Sequence, residues 1–196
     1  MINASYQLLW SLIGLLLTIS GTFIEAYVTN LPWNWSQQGI HTHSLGVTYQ
    51  IGAVLLVSCL GGRTAGTISQ IAYLVLGLTW MPVFAQSSGI GSIKQPYFGY
   101  LLGFVSGAWV CGALAFRKSP KLEYLTFSCL SGLVTIHLTG LAYLVLLYAS
   151  GWAGTPSIPL TEAVLNYSLY PFVGQIVITC AVAVLAYGLR HLLFIK

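Results

Sequence analysis

Lys94 lies among side chains suited to holding a small molecule. Residues 78–104, LTWMPVFAQSSGIGSIKQPYFGYLLGF, carry one Lys and no acid, with Gly, Ser, Gln, Pro and aromatic residues around it. Gln86, Ser87 and Ser88 offer donors and acceptors. Phe84, Tyr97 and Tyr100 offer ring faces. Lys94 offers an ammonium, which can hold a ligand carboxylate through a charge-assisted bond. Thr48, Gln50, Trp152 and Gln175 add polar and aromatic groups from elsewhere in the chain. An apolar slot with a few placed polar groups suits a small ligand. Bond-breaking chemistry has no visible carrier. The chain shows no H-E-x-x-H, no G-x-S-x-G, no P-loop and no paired acids for a proton relay, so it is not expected to be an enzyme or to hydrolyse ATP itself.

Other reactive side chains read blandly. Cys59, Cys111, Cys129 and Cys180 fall in apolar runs, with neither zinc spacing nor a disulfide framework, and read as small buried thiols. His41 and His43 form an HxH pair without further ligands nearby, so they read as solvated and no metal site is expected. His137 falls inside an apolar run. It reads as hydrogen-bonded to Thr135, Thr139 or a backbone carbonyl, against a competing reading as a pigment or haem ligand. No cofactor is expected. Glu25 sits near the end of the first apolar run, where an acid is either snorkelling or functional, and a pairing with Lys94 is one way to hold the loop.

The elements that position these residues are membrane helices. The chain is 57% hydrophobic and 5% charged, against about 25% charged in a soluble domain. It cannot cover itself with a water-compatible surface. Apolar runs approaching the ~20 residues of a membrane crossing fall at roughly 7–28, 45–60, 65–80, 97–116, 122–148 and 167–189. The expected fold is an all-α integral membrane protein, a six-helix bundle in which residues 1–196 form a single membrane domain. The first run lacks a basic n-region and is too long for an h-region, so no cleavable signal peptide is expected. On that run Gly14, Thr18 and Thr22 recur every fourth residue, a small-residue ridge that lets another helix approach, either within the bundle or from a separate subunit.

Charge placement orients the bundle. The net charge is +4, from seven basic and three acidic residues. The basic residues stand singly or in one short cluster, which excludes a nucleic-acid surface and reads as topology. With six spans, Arg63, the Arg117–Lys118–Lys121 cluster, Arg190 and Lys196 share one side. The positive-inside rule makes that side cytoplasmic, with both termini there and the protein multi-pass in the cell's inner (plasma) membrane. Lys94 is then the lone Lys or Arg outside, and the connections around Trp33, Lys94 and Trp152 share its side. Residues 78–104 are expected to lid a small-molecule site at the outer end.

Four stretches carry a family resemblance. They are Gly46-Val47-Thr48-Tyr49-Gln50, Leu60-Gly61-Gly62-Arg63-Thr64-Ala65-Gly66, Met81-Pro82-Val83-Phe84-Ala85, and Gln95-Pro96-Tyr97-Phe98-Gly99-Tyr100-Leu101-Leu102-Gly103-Phe104. In order and spacing they resemble the BioY biotin-transporter family, whose pattern reads approximately P-V-T-L-Q, L-G-x-R-x-G, G-L-P-V-F-A and G-P-T-G-G-Y-L-L-G-F. The resemblance implies a six-helix substrate-capture (S) component of an energy-coupling-factor importer. Such a component binds biotin from outside, and its uptake is powered by a transmembrane coupling subunit and cytoplasmic ATPases. It also implies that the ridge Gly14, Thr18 and Thr22 is a docking face for the coupling subunit.

For biotin, Phe84, Tyr97, Tyr100 and Trp152 can supply a slot for the apolar part, against a reading of Phe84 and Tyr100 as core packing or interface belt. Thr48, Gln50, Gln86, Ser87, Ser88 and Gln175 can pair its ureido group, and Lys94 is the candidate for its carboxylate, against a reading as a solvated loop tip. The chain departs from the family in the last helix, which there opens with P-G-D followed by a Lys. Here Gln175 stands at the acid and Ile178 roughly at the Lys, while Tyr97 replaces a Thr and Phe98 a Gly. The expected site is more aromatic and less charged. Two other classes compete with biotin capture: an S component for a different vitamin-like ligand, and a non-transport scaffold or pigment-associated subunit.

Overall fold

A computed structural model describes residues 4–79, 81–86, 88–152 and 158–193. Five helices are long and apolar enough to cross a membrane. They are α1 (Ala4–Phe23), α2 (Gln50–Thr79), α3 (Phe98–Ala115), α4 (Leu122–Ala149) and α5 (Tyr170–Leu192). A short helix, Leu160–Val164, and a π-helical turn, Leu165–Leu169, lead directly into α5. The chain is a multi-pass membrane protein by these helices.

The apolar runs at 45–60 and 65–80 both fall on α2, on either side of Gly62. Gly62 has φ 80° and ψ 179°, a backbone no helix uses, and glycine adopts it without a Cβ penalty. The chain reverses there. Gln50 Nε2 donates to Tyr73 Oη at 2.9 Å although 23 residues separate them; a straight helix would hold them ~35 Å apart. Likewise Ser58 packs on Gly66, where a β-carbon would fall 2.5 Å from its Oγ. α2 is therefore a helical hairpin with its turn at Gly61-Gly62.

The all-α expectation needs one correction. The first helix stops at Phe23, and the chain then forms strand β1 (Glu25–Thr29), antiparallel to β2 (Thr42–Thr48), with Tyr27 opposite Ser44 and Thr29 opposite Thr42. Tyr, Val and Thr suit a pleated, half-exposed strand better than a helix. The ladder pairs the backbone groups that leave α1. Glu25 accepts from the Tyr27 hydroxyl at 2.8 Å and from the Ser44 hydroxyl, so its partners lie in the hairpin and not at Lys94. His41 and His43 are exposed near and on β2.

Small residues set the helix spacing. A β-carbon at Gly103 of α3 would fall 2.7 Å from the Ile136 carbonyl oxygen of α4, and one at Gly107 would fall 2.8 Å from that of Gly132. Backbone approach this close is how membrane helices pack without a hydrophobic drive between them. α1 packs on α2 through a polar seam. Thr18 and Thr22 are buried, Gln70 Nε2 donates to Thr18 Oγ1 at 3.0 Å, and a β-carbon at Gly14 would meet Ser69 and Val57 at 2.8 Å. The ridge Gly14, Thr18 and Thr22 is thus spent inside the chain. The exposed surface of α1 is largely apolar, with Leu8, Leu9, Leu12, Leu16 and Phe23 exposed alongside Ser5 and Ser20.

Among the described residues, the basic side chains other than Lys94 gather at the Gly62 end. The Arg63 backbone lies against Gly112, and Gly62 faces the Phe116 ring. Arg190 sits over that same ring at 4.2 Å and donates to the Ala115 carbonyl at 2.7 Å. Lys196 falls outside the described residues. The hairpin, the segment after α2 and the approach to α5 all lie at the opposite end.

Candidate functional site

The arms of the α2 hairpin are unequal, and their mismatch makes room for a site. Gln50, the first residue of one arm, pairs with Tyr73, while the other arm continues to Thr79. The chain after α2 folds back over this step. Tyr73 Oη donates to the Val83 carbonyl at 3.0 Å, Gly89 N–H donates to the Gly77 carbonyl at 2.7 Å, and the Tyr143 hydroxyl donates to the Ile93 carbonyl. Each anchor draws a different part of the segment onto α2 or α4. The Phe84 ring fills the notch above Gly77 and meets Tyr73 edge-on at 5.4 Å.

Beneath this cover lies a cavity of about 310 Å³. Its walls come from β2 and the start of α2 (Thr48, Gln50), from the covering segment (Phe84, Gln86), from the start of α3 (Tyr97, Tyr100) and from α5 (Gln175). All seven are among the sequence-based candidates. Sequence reasoning missed Asn166 and Tyr167 in the π-helical turn, and Phe104 and Ile136 deeper down. An irregular turn inside an otherwise helical stretch often marks a functional site, but the sequence carries no sign of it.

The remaining candidates lie elsewhere. Lys94 ends the 3₁₀ turn Ile90–Lys94 with an exposed side chain, off the cavity wall. Trp152 is 55% exposed and also off the wall. Ser88 holds the covering segment instead, accepting from Phe84 N–H at 3.4 Å. Ser87 falls outside the described residues. Ile178 is buried against Gly52. The cavity wall therefore includes no Lys, Arg, Asp or Glu among the described residues.

A buried polar chain backs the α5 wall. His137, 6% exposed on α4, has Nε2 2.6 Å from Gln175 Oε1 and Nδ1 3.3 Å from Ser168 Oγ. Ser168 Oγ is in turn 2.6 Å from the Tyr100 hydroxyl. Phe172 packs edge-on against the imidazole at 5.1 Å. The partners of His137 are thus Ser168 and Gln175, and not Thr135, Thr139 or a backbone carbonyl. Thr135 bonds within its own helix, to the Ser131 carbonyl, while Thr139 bonds to the Thr135 carbonyl and, at 3.0 Å, to the Ser106 hydroxyl of α3. A neutral imidazole has one N–H and one acceptor nitrogen, so it can donate to Gln175 Oε1 while accepting from Ser168. With Oε1 taken by His137, the Gln175 amide N–H groups are the part of this wall residue left for a ligand. Across from it, Gln86 pairs with the Tyr167 hydroxyl.

The site is thus an aromatic slot closed by neutral amides and hydroxyls. It can bind an uncharged hydrogen-bonding group on an apolar body. The pattern of the BioY family matches residues 6–194. The chain belongs to the BioY family. It is similar to an uncharacterised 21.2 kDa protein of Cyanophora paradoxa, 29% identical over 191 residues, covering 96% of this chain and 97% of that one. It is 40% identical over 129 residues to a probable biotin transporter BioY of Lysinibacillus sphaericus, covering 65% of this chain and 59% of the relative. It is 37% identical over 94 residues to the biotin transporter BioY of Thermotoga maritima, covering 47% and 55%. Among solved structures, the S-component for biotin from an ECF-type ABC transporter has a similar fold. The TM-score is 0.69 at 20% identity, over 97% of this chain and 95% of that one. Of the four BioY-like stretches, three reach the cavity wall, through Gly46–Gln50, Phe84–Ala85 and Tyr97–Phe104. The fourth makes the Gly61-Gly62 turn at the far end.

Proposed function

We propose that this chain is the membrane-embedded capture subunit of a biotin importer. It binds biotin in the cavity between β2, α2, α3 and α5 and hands the uptake step to a separate transmembrane coupling subunit and cytoplasmic ATPases. The observation that carries this reading is convergence. Three BioY-like stretches, far apart in sequence, meet on one cavity. Counting α2 as two crossings gives six. The basic residues at the Gly62 end then face the cytoplasm, both termini lie there, and the cavity opens outside. In this reading the chain sits in the inner (plasma) membrane with its site toward incoming ligand. The protein acts by binding and not by catalysis.

Gln175 and Gln50 serve the ureido group, and Phe84, Tyr97 and Tyr100 enclose the rings and chain. Lys94, exposed beyond the wall, leaves the ligand carboxylate toward the mouth. The uncharged wall also favours a second reading, in which the natural ligand is a different vitamin-like molecule without an anionic group at Gln175. Labelled biotin, titrated into the purified protein in lipid nanodiscs, tests the first reading. Saturable binding at or below micromolar biotin is expected. A folded sample with no binding there removes biotin, and a screen of neutral vitamins then decides the second reading. Co-purification with coupling and ATPase subunits tests the partners.

A further inference from the structure

Three cysteines from three helices meet on the Gly62 side of the core. Cys59 of α2, Cys111 of α3 and Cys129 of α4 are buried, and each is 0% exposed. Cys59 Sγ lies 3.4 Å from Cys129 Sγ and 3.6 Å from Cys111 Sγ. All three sulfurs lie within 4.8 Å of one another. Chain separations of 52 and 70 residues hide the group from any motif search. None of the three lines the candidate biotin cavity, so the group is independent of the biotin reading.

The triangle has the dimensions of a metal site. Three sulfurs bound at ~2.3 Å to one metal in a trigonal plane stand about 4.0 Å apart. The Cys59–Cys129 and Cys59–Cys111 pairs, at 3.4 and 3.6 Å, need to open by about half an ångström to reach that spacing. The donor set is sulfur alone, because no His, Asp or Glu joins the group among the described residues. A structural zinc site takes four ligands. Three soft thiolates in a dry apolar shell select Cu(I) instead.

Charge and access also fit. Buried thiolates need a compensating charge. Arg190, 1% exposed, brings a guanidinium to this end of the core and donates to the Ala115 carbonyl one turn beyond Cys111. Cys59 sits just before the Gly61-Gly62 turn, and Cys111 adjoins Gly112. A cavity of about 360 Å³ lined by Gly61, Gly62, Arg63, Gly112 and Phe116 opens at that end. Two of its lining residues, Gly61 and Gly112, are next or next but one in sequence to Cys59 and Cys111.

We propose that Cys59, Cys111 and Cys129 form a three-sulfur site for a soft monovalent metal ion, Cu(I). Each thiol that ligates as thiolate gives its proton to solvent. Copper enters and remains as Cu(I), so no electron is exchanged. The bound ion ties α2, α3 and α4 together at the end opposite the ligand cavity.

The full chain in detergent, titrated anaerobically with Cu(I) against a chromogenic chelator, tests this. About one ion per chain is expected, with a sulfur-only shell by X-ray absorption. Cys180, exposed on α5, is the control, and Cys180→Ser leaves binding unchanged. Cys59→Ser and Cys129→Ser each weaken it by at least about tenfold. If either variant fails to fold, the wild-type absorption spectrum still decides. A shell containing nitrogen or oxygen, no binding by folded wild type, or binding lost only in Cys180→Ser overturns the site and leaves the three thiols as packing.

Discussion

His137 Nε2 lies 2.6 Å from Gln175 Oε1, joining the buried face of α4 to the cavity wall of α5. Gln175 stands where the BioY pattern carries an acid, so this pairing decides which atoms of the amide face a ligand. With Nε2–H donating, the amide presents donors and asks for an acceptor such as a ureido oxygen. Gln175→Ala is expected to weaken biotin binding by about 1–2 kcal/mol, roughly five- to thirtyfold. His137→Ala is expected to cost less affinity but to narrow the preference for biotin over 2-thiobiotin, whose sulfur is a poorer acceptor. Titration calorimetry with both ligands checks this. An unchanged preference in His137→Ala would mean that the imidazole does not orient the amide.

Tyr73 is expected to control how firmly the covering segment stays closed. Its hydroxyl meets Gln50, Thr22 and the Val83 carbonyl. Tyr73→Phe leaves buried polar groups unpaired, which costs about 1–3 kcal/mol. The expected result is a lower melting temperature and faster ligand release. Stopped-flow dissociation measures the second directly, and a release rate equal to wild type would show that the segment is held by its other anchors.

Lys94 gives a contrasting expectation. Its side chain is exposed and off the cavity wall, and exposed ion pairs contribute ~1 kcal/mol or less. Lys94→Ala is expected to change affinity for biotin by no more than a few-fold, and for amide-capped biotin hardly at all. A loss as large as that of Gln175→Ala would place the ammonium on the ligand.

The α3–α4 contact predicts opposite outcomes for two glycines. Gly103→Val drives a side chain into the Ile136 backbone and is expected to cost about 3 kcal/mol or to prevent folding. Gly188 of α5 has open space around its β-carbon position. Gly188→Ala is expected to stabilise by about 0.5–1 kcal/mol through helix propensity. Thermal melts in detergent distinguish them, and equal tolerance at both positions would contradict the close approach.

The β-hairpin carries a pH dependence. Hydrogen bonds from the Ser44 hydroxyl, and then from the Tyr27 hydroxyl, hold the Glu25 carboxyl below its ordinary 4.5. The ionised form is the one stabilised. Its contribution is complete above that ordinary value and is lost as the pH falls through the lower folded value. Amide protection in residues 25–29 and 42–48, measured relative to the intrinsic exchange rate at each pH, is expected to fall on acidification across that window. Ser44→Ala should move the onset upward, and an unmoved onset would rule out this hydroxyl as the cause.

Hydropathy and charge are properties of the chain read in one dimension, and they determined a great deal. Apolar runs located every long helix, because burial in lipid demands a length of apolar residues whatever the neighbours are. Lys and Arg positions separated the Gly62 end from the ligand end. The BioY-like stretches, Gln86 just beyond one of them, and the last helix named seven residues of the cavity wall, since those segments carry the wall themselves. Hydropathy could not tell the end of α1 from the start of β1, because Tyr27 and Val28 are as apolar as a helix requires, and only the pairing with Ser44 and His43 made them a strand. Nor could it tell which face of α1 was already in use. Gly14, Thr18 and Thr22 look like a free docking ridge until Ser69 and Gln70 are seen packed on them. The His137–Gln175 contact and the sulfur triangle join residues from separate helices. Their existence depends on helix rotation and spacing, which the backbone contacts at Gly103 and Gly107 set and which no stretch of sequence encodes locally.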